Sequence, residues 1–308
     1  MFDTVNLRLD RAEVSKGNLF ELLPYLSEIT ERQNEKSGYN CSGKIGDYTV
    51  NIFDFGVFFN GSLAKYYLGN NIETLTRHEA KAAIEQLSDN LHTDIRLAKV
   101  TRFDFSTVIQ TKRPPADYYS YFGQKPYFER QQATKNTLYY NNHQRKLIFY
   151  DKTKEAGAKG VKMPEIFINN NLLRYELRYT KRINKQFKTD VTASTLTDEV
   201  FYKTNIQNWH NEFKTIQKLK SSDFMIDNIN SRKEAKEALF AYSLQQLGQS
   251  TIDDFLAELK AEKKFSSRSD YTKLKNELNK IVVAKNGNKN ELINELEKSI
   301  FRTAKYAM

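Results

Sequence analysis

The stretch NLLRYELRYTK, residues 171–181, sets Leu173, Tyr175, Leu177 and Tyr179 against Arg174, Glu176 and Arg178 in strict alternation. Successive side chains of a strand point to opposite sides, so this period of two predicts a β-strand with one apolar and one charged face. The same division recurs upstream. In DIRLAKVTRFDFSTVIQ (94–110), Phe103 and Phe105 alternate with Arg102, Asp104 and Ser106; FDTVNLRL (2–9) alternates at Val5, Leu7 and Leu9. DYTVNIFDFGVFF (47–59) is β-branched and aromatic, and TLYYNNHQRKLIFYD (137–151) reads as a hairpin around Asn141-Asn142. Between the strands, TRHEAKAAIEQLSDNL (76–91) opens with the capping box Thr76-x-x-Glu79 and puts Ala80, Ala83, Ile84, Leu87 and Leu91 on one helical face. NGSLAKYYLGNN (60–71), with Gly61, Gly69 and Asn70-Asn71, reads as a loop.

From Thr197 the period becomes helical, in segments separated by SSD, LGQS, KFSSRS and KNGNKN, with Ser231-x-x-Glu234 and Thr251-x-x-Asp254 as N-terminal caps. The fold expected is α+β: a central, mainly antiparallel sheet with flanking helices over residues 1–190, then a helical region over 191–308 for DNA binding, docking or oligomerisation. KEALFAYSLQQLGQSTIDDFLAELKAEKK (236–264) divides around Gly248 into two short helices, a helix-turn-helix shape, although its near-neutral charge favours packing. Trp209, with Val200, Ile206, Phe213 and Ile216 at helical spacing, reads as a stripe docking on the sheet domain.

Composition narrows the partners. The 308 residues are 39% hydrophobic, enough for a real core, and carry a net charge of +10 with a pI near 9.3, which makes a polyanion the first partner to consider. Residues 222–308 hold 15 Lys+Arg against 13 Asp+Glu, so most of the excess falls earlier. Cys41 is the only cysteine, which excludes an internal disulfide and argues against a cysteine zinc site. The charged first twenty residues contain no secretory apolar segment, and no apolar run reaches membrane length; a cytoplasmic protein with no membrane role is expected. His78, His92, His143 and His210 are scattered without metal-ligand spacing, and there is no GxxxxGK[ST] loop.

The charged strand faces carry the chemistry. Arg102 with Asp104, then Arg174, Glu176 and Arg178, then Ile148, Tyr150 and, if the strand persists, Lys152 form three rows that one sheet face could gather. Acidic oxygens suit Mg²⁺ or Mn²⁺, arginines grip phosphate oxygens, and a phenol can attack phosphorus. A strand tyrosine is ordinarily packing material and an exposed carboxylate is ordinarily solvated, so the residues alone leave Tyr150, one of 18 tyrosines, undecided.

Four blocks in order, NGSLAKYYLGNNIETLTRHE (60–79), VTRFDFST (100–107), TLYYNNHQRKLIFYDKTKE (137–155) and LLRYELRY (172–179), resemble the phage and plasmid rolling-circle replication initiators of the filamentous-phage gene II/X type, and more distantly the initiators of small staphylococcal plasmids. The resemblance implies a nickase that cuts one strand of origin DNA, single-stranded or in a hairpin or supercoil, through a tyrosine and passes the free 3′ end to host replication proteins. Carried onto this chain, the nucleophile is Tyr150 with Lys152 beside it; Asp104 and Glu176, with Glu155, hold the metal. By their own chemistry rather than the resemblance, Arg102, Arg174 and Arg178 are expected to bind DNA phosphates, and Lys65, Tyr66 and Tyr67 to line a single-strand path by charge and stacking. Tyr139, Tyr140, Tyr118, Tyr119 and Tyr121 are alternative nucleophiles. The alternative functions are a hydrolytic metal-dependent nuclease without a covalent intermediate and a non-catalytic origin-binding protein. An oligomer is compatible with either.

Overall fold

The computed structural model describes residues 1–14, 18–34, 38–161, 163–219, 231–284 and 291–307. Strands β1 (Phe2–Asp10), β2 (Ser27–Asn34), β3 (Gly38–Ile45), β4 (Tyr48–Phe53), β5 (Gly56–Asn60), β6 (Lys99–Thr111), β7 (Glu129–Thr134), β8 (Thr137–Asn141), β9 (Arg145–Asp151) and β10 (Asn171–Tyr179) form one sheet. Its order is β2-β3-β4-β5-β1-β6-β10-β9-β8-β7, and every pairing is antiparallel. The α+β expectation therefore holds, as do the β8–β9 hairpin and its Asn142 turn.

Helices follow in chain order as α1 (Leu63–Leu68), α2 (Arg77–Leu91), α3 (Ala116–Tyr119), α4 (Lys152–Ala158), α5 (Ile183–Phe187), α6 (Ala193–Leu196), α7 (Glu199–Lys214), α8 (Arg232–Ala261), α9 (Arg268–Ala284) and α10 (Glu291–Ala307). The Thr76–Glu79 capping box starts α2, whose five apolar positions are all buried. NGSLAKYYLGNN contains α1 rather than a loop: Ser62 caps its start and Gly69, at φ 73°, closes it in the left-handed region that glycine adopts without strain.

The apolar face of the sheet is the core. Tyr175 of β10 stacks on Phe149 of β9 at 4.5 Å and on Trp209 of α7 at 4.8 Å. Its hydroxyl donates to the Trp209 carbonyl at 2.9 Å, while the indole N–H donates to the Tyr175 carbonyl at 3.3 Å. Burying two large rings with both polar atoms satisfied ties α7 firmly to the sheet. Trp209, Ile206, Phe213 and Ile216 are buried as the docking stripe requires, whereas Val200 faces solvent. α10 adds Ile293, Leu296, Ile300 and Ala304 to the same core, so helices after residue 190 complete the sheet domain's interior.

α8 and α9 pack differently, through a small cluster of Leu219, Leu244, Ile252, Leu256 and Leu278. The expected division into two short helices at Gly248 is not found: α8 runs unbroken for 30 residues through Gly248, and with it the helix-turn-helix shape is lost. A single glycine costs a helix interior only about 1 kcal/mol, too little to break one this long. Ser231 caps α8 as expected, but Thr251 lies inside it and its hydroxyl donates back to the Leu247 carbonyl. The SSD and KNGNKN separators lie outside the described residues.

Candidate active site

The face of the sheet opposite the core gathers the charged rows. On β10 and β6, Arg178 pairs with Asp104 and Glu176 with Ser106; on β10 and β9, Arg174 pairs with Tyr150 and Arg178 with Lys146. Because all these positions share one parity of the ladder, their side chains meet on one side. Tyr150 points to the carboxylates and away from Leu147 and Phe149: its hydroxyl donates to Glu176 Oε1 at 2.9 Å.

Around that bond lies an interlocked set of ions. Arg174, fully buried, holds Glu176 Oε1 through Nε at 3.0 Å, and its Nη2 reaches Asp3 Oδ2 at 2.5 Å and the Ser106 hydroxyl at 2.8 Å. Its Nη1 donates to the Asn71 carbonyl. Arg178 bridges the two acids, with Nη2 at 3.2 Å from Glu176 Oε2 and Nε at 3.0 Å from Asp104 Oδ2. Arg102 closes on Asp104 with Nε to Oδ1 at 3.0 Å and Nη2 to Oδ2 at 2.5 Å. Asp104, Glu176 and Asp3 are buried, while the side chains of Arg102 and Arg178 are 29% and 25% exposed and form the rim toward solvent. Buried carboxylates survive here because each is hydrogen-bonded to a guanidinium.

Protonation follows from burial. The Tyr150 phenol is pushed well above its ordinary range, mainly by burial and further by Glu176, with Arg174 opposing. It is neutral at rest, its hydroxyl bonded to Glu176 while the Lys152 ammonium is bonded to Asn71 and Glu155. Asp104 is pushed up to about 6 by burial, against the pull of Arg102 and Arg178. Arg174 is held above the ordinary arginine range, despite its burial, by the Asp3 and Glu176 carboxylates.

Lys152 is not the continuation of the β9 row. Asp151 ends the strand by accepting from the Lys154 N–H at the start of α4, so Lys152 turns inward, donating to Asn71 Oδ1 and Glu155 Oε2, both at 2.8 Å. Burial lowers its pKa, and Arg174 adds to this. Glu155 is also paired with Lys159. Lys65, Tyr66 and Tyr67 stand apart on α1: Lys65 lies 3.5 Å from Asp47, and Tyr66 packs against the core residue Tyr48 while its hydroxyl accepts from Asn90. Of the alternative tyrosines, Tyr140, Tyr118 and Tyr119 are buried with hydroxyls tied to Gly123, Glu295 and Asn136, and Tyr121 packs against the core. Tyr139 faces the same side as Tyr150, opposite Ile148.

Of the expected metal ligands, Asp104 and Glu176 are brought together by Arg178, while Glu155 is paired with Lys152 and Lys159. Among the described residues no three His, Cys, Asp or Glu side chains come together as an ion site. The oxygens of Asp104 and Glu176 are occupied by three arginines and Tyr150, and Glu155 is held by two lysines. Three guanidiniums around the acids disfavour a divalent cation as the groups stand.

Two members of the site escaped the sequence reading. Asp3 alternates in phase with Val5, Leu7 and Leu9, which places it on the core side; a bulge between Phe2 and Val5 turns it to the charged face. Asn71 ends the NGSLAKYYLGNN stretch, but nothing in its spacing shows that this segment folds back over β10.

Residues 1–209 match the model of the family described as the N-terminal part of the replication-associated gene II protein. The chain belongs to this family. The gene II match contains all ten strands and every residue of the charged cluster, and it ends within α7. Membership makes the chain a replication-associated protein of the rolling-circle initiator kind. The likeness to staphylococcal plasmid initiators rests on the four sequence blocks alone. No curated protein matches the chain. Among the described residues no helix is long and apolar enough to cross a membrane.

Proposed function

We propose that this member of the gene II family nicks origin DNA by tyrosyl transesterification, with Tyr150 as the nucleophile. The observation that carries the reading is the Tyr150 hydroxyl donating to the buried Glu176 carboxylate on a sheet face rimmed by Arg102 and Arg178. Because the phenol is neutral at rest, its proton must leave as the attack proceeds, and Glu176 Oε1 is placed to take it. The Tyr150 oxygen bonds to phosphorus, the bond from phosphorus to the 3′ oxygen breaks, and that oxygen leaves with a proton from solvent. The products are a 5′-phosphotyrosyl link and a free 3′ hydroxyl for host replication proteins to extend. Arg178 and Arg102, on the rim, stabilise charge on the phosphate oxygens; Arg174 fixes Glu176 from below and acts as a positioning residue.

Incubation with single-stranded origin DNA should give a protein–DNA adduct that survives SDS, and Tyr150→Phe should give none. An adduct formed equally well by Tyr150→Phe would transfer the role to Tyr139, which shares the face. Nicking with a free 5′-phosphate and no adduct would instead identify a hydrolytic nuclease. A requirement for Mg²⁺ or Mn²⁺ is a separate proposal, tested by comparing adduct yield in EDTA and in excess Mn²⁺.

A further inference from the structure

The charged face does not stop at the tyrosine. Following the ladder from β6 to β1 and β5, Asn6 pairs with Arg102, Arg8 with Lys99, and Phe58 with Arg8. Beyond them, on β4, Asn51 lies opposite Phe58 and Phe53 opposite Gly56. A bulge in β6 keeps Val100 with the core while Arg102 and Lys99 face outward, so all these side chains share the side of Tyr150.

At the far end this face changes character. Phe53 and Phe55 stack at 5.4 Å with an interplanar angle of 16°, and Phe58 meets both edge-on. The Arg8 guanidinium sits 5.5 Å from the Phe58 ring and 5.9 Å from the Phe55 ring, fixed by Asp10 at 2.6 Å. Phe55 is at the tip of the β4–β5 turn and 55% exposed, yet the turn is anchored, since its carbonyl accepts from the Arg11 N–H. A lone exposed phenylalanine is commonplace, but three touching rings held in place by an arginine on a charged sheet face are not.

We propose that Phe53, Phe55 and Phe58 with Arg8 form a stacking platform for bases of single-stranded DNA that passes over Tyr150. The proposal rests on the nickase reading. From Tyr150 the track runs past Lys146, Arg178 and Arg102 to Arg8. It crosses four strand spacings and about eight residues along the strands, roughly 30 Å by sheet geometry. At a stacked rise of about 3.4 Å per nucleotide, roughly nine nucleotides span it. A footprint of this length, cations along the track and aromatic faces at its end are the means by which proteins hold single strands without reading sequence. A duplex keeps its bases stacked on each other and offers the rings nothing.

The test measures binding of fluorescent (dT)20 to the full chain by anisotropy. Phe55→Ala, at an exposed position, should weaken binding roughly tenfold or more, as loss of a base-stacking ring does. Phe55→Trp should restore it, and the salt dependence should be unchanged because no charge is removed. A duplex of the same length should bind both variants as it binds wild type. Wild-type affinity of Phe55→Ala for (dT)20, or an equal loss on the duplex, overturns the platform. The outcome is independent of adduct chemistry: if Tyr150→Phe still forms the adduct, the nucleophile assignment fails while the (dT)20 measurement continues to judge the platform.

Discussion

Tyr150 and Tyr175 sit one register step apart on neighbouring strands, β9 and β10, and face opposite ways. Tyr175 is sealed between Phe149 and Trp209, with its hydroxyl given to a backbone carbonyl. Tyr150 sits among ions with its hydroxyl given to a carboxylate, half-buried at the edge of a basic rim. Burial raises both phenols. The difference lies in the acceptor: a carbonyl cannot keep a proton, whereas a carboxylate can, so of these two phenols Tyr150 alone has an acceptor able to take its proton.

Paired substitutions separate the two tyrosines most sharply. Tyr150→Phe should abolish the SDS-stable adduct with little change in folding, while Tyr175→Phe should keep the adduct and lose about 1 kcal/mol of stability with its hydrogen bond. Denaturant unfolding and gel shift measure the two halves. If Tyr175→Phe removed the adduct and Tyr150→Phe did not, the roles of the two faces would be reversed.

A smaller effect concerns the charged face as a structural element. Arg174→Met leaves Asp3 and Glu176 buried without their common cation, so we expect a loss of about 3–5 kcal/mol in urea unfolding, as for other broken buried pairs. A loss under about 1 kcal/mol would mean that water reaches this face and screens it.

The smallest effect is in pH dependence. Asp104 has its folded pKa raised from 3.8 to about 6, so the folded chain binds this proton more tightly than the unfolded one does. Its contribution to stability therefore declines as pH rises from about 4 to about 6 and is constant above that. Adduct formation should show an acid limb near pH 6, since only the carboxylate anchors Arg102 and Arg178. Asp104→Asn should flatten both dependences, and an unchanged limb would assign it to another group.

Much of this was legible in the sequence, for a physical reason. The period of two in β6 and β10 depends on local pleating, so the rows Arg102/Asp104 and Arg174/Glu176/Arg178 could be read without knowing which strands are neighbours. Capping worked likewise, with Thr76 and Ser231 found where expected. The misreadings fell where a weak local signal met a stronger non-local one. Gly248 looked like a helix end but is carried through by the length of α8, and Lys152 looked like a strand residue but is claimed by the Asp151 cap.

Local pattern alone established that strands with one apolar and one charged face exist and that Tyr150 lies near the end of one of them. Only the tertiary structure decided that β6, β10 and β9 lie side by side in that order, because strand neighbours and register are set by pairing between distant segments. That pairing places Glu176 within hydrogen-bond reach of Tyr150, and a bulge in β1 adds Asp3 beneath Arg174. The same pairing sets guanidiniums against the carboxylates that looked like metal ligands in the sequence, a neighbourhood that no single strand reveals.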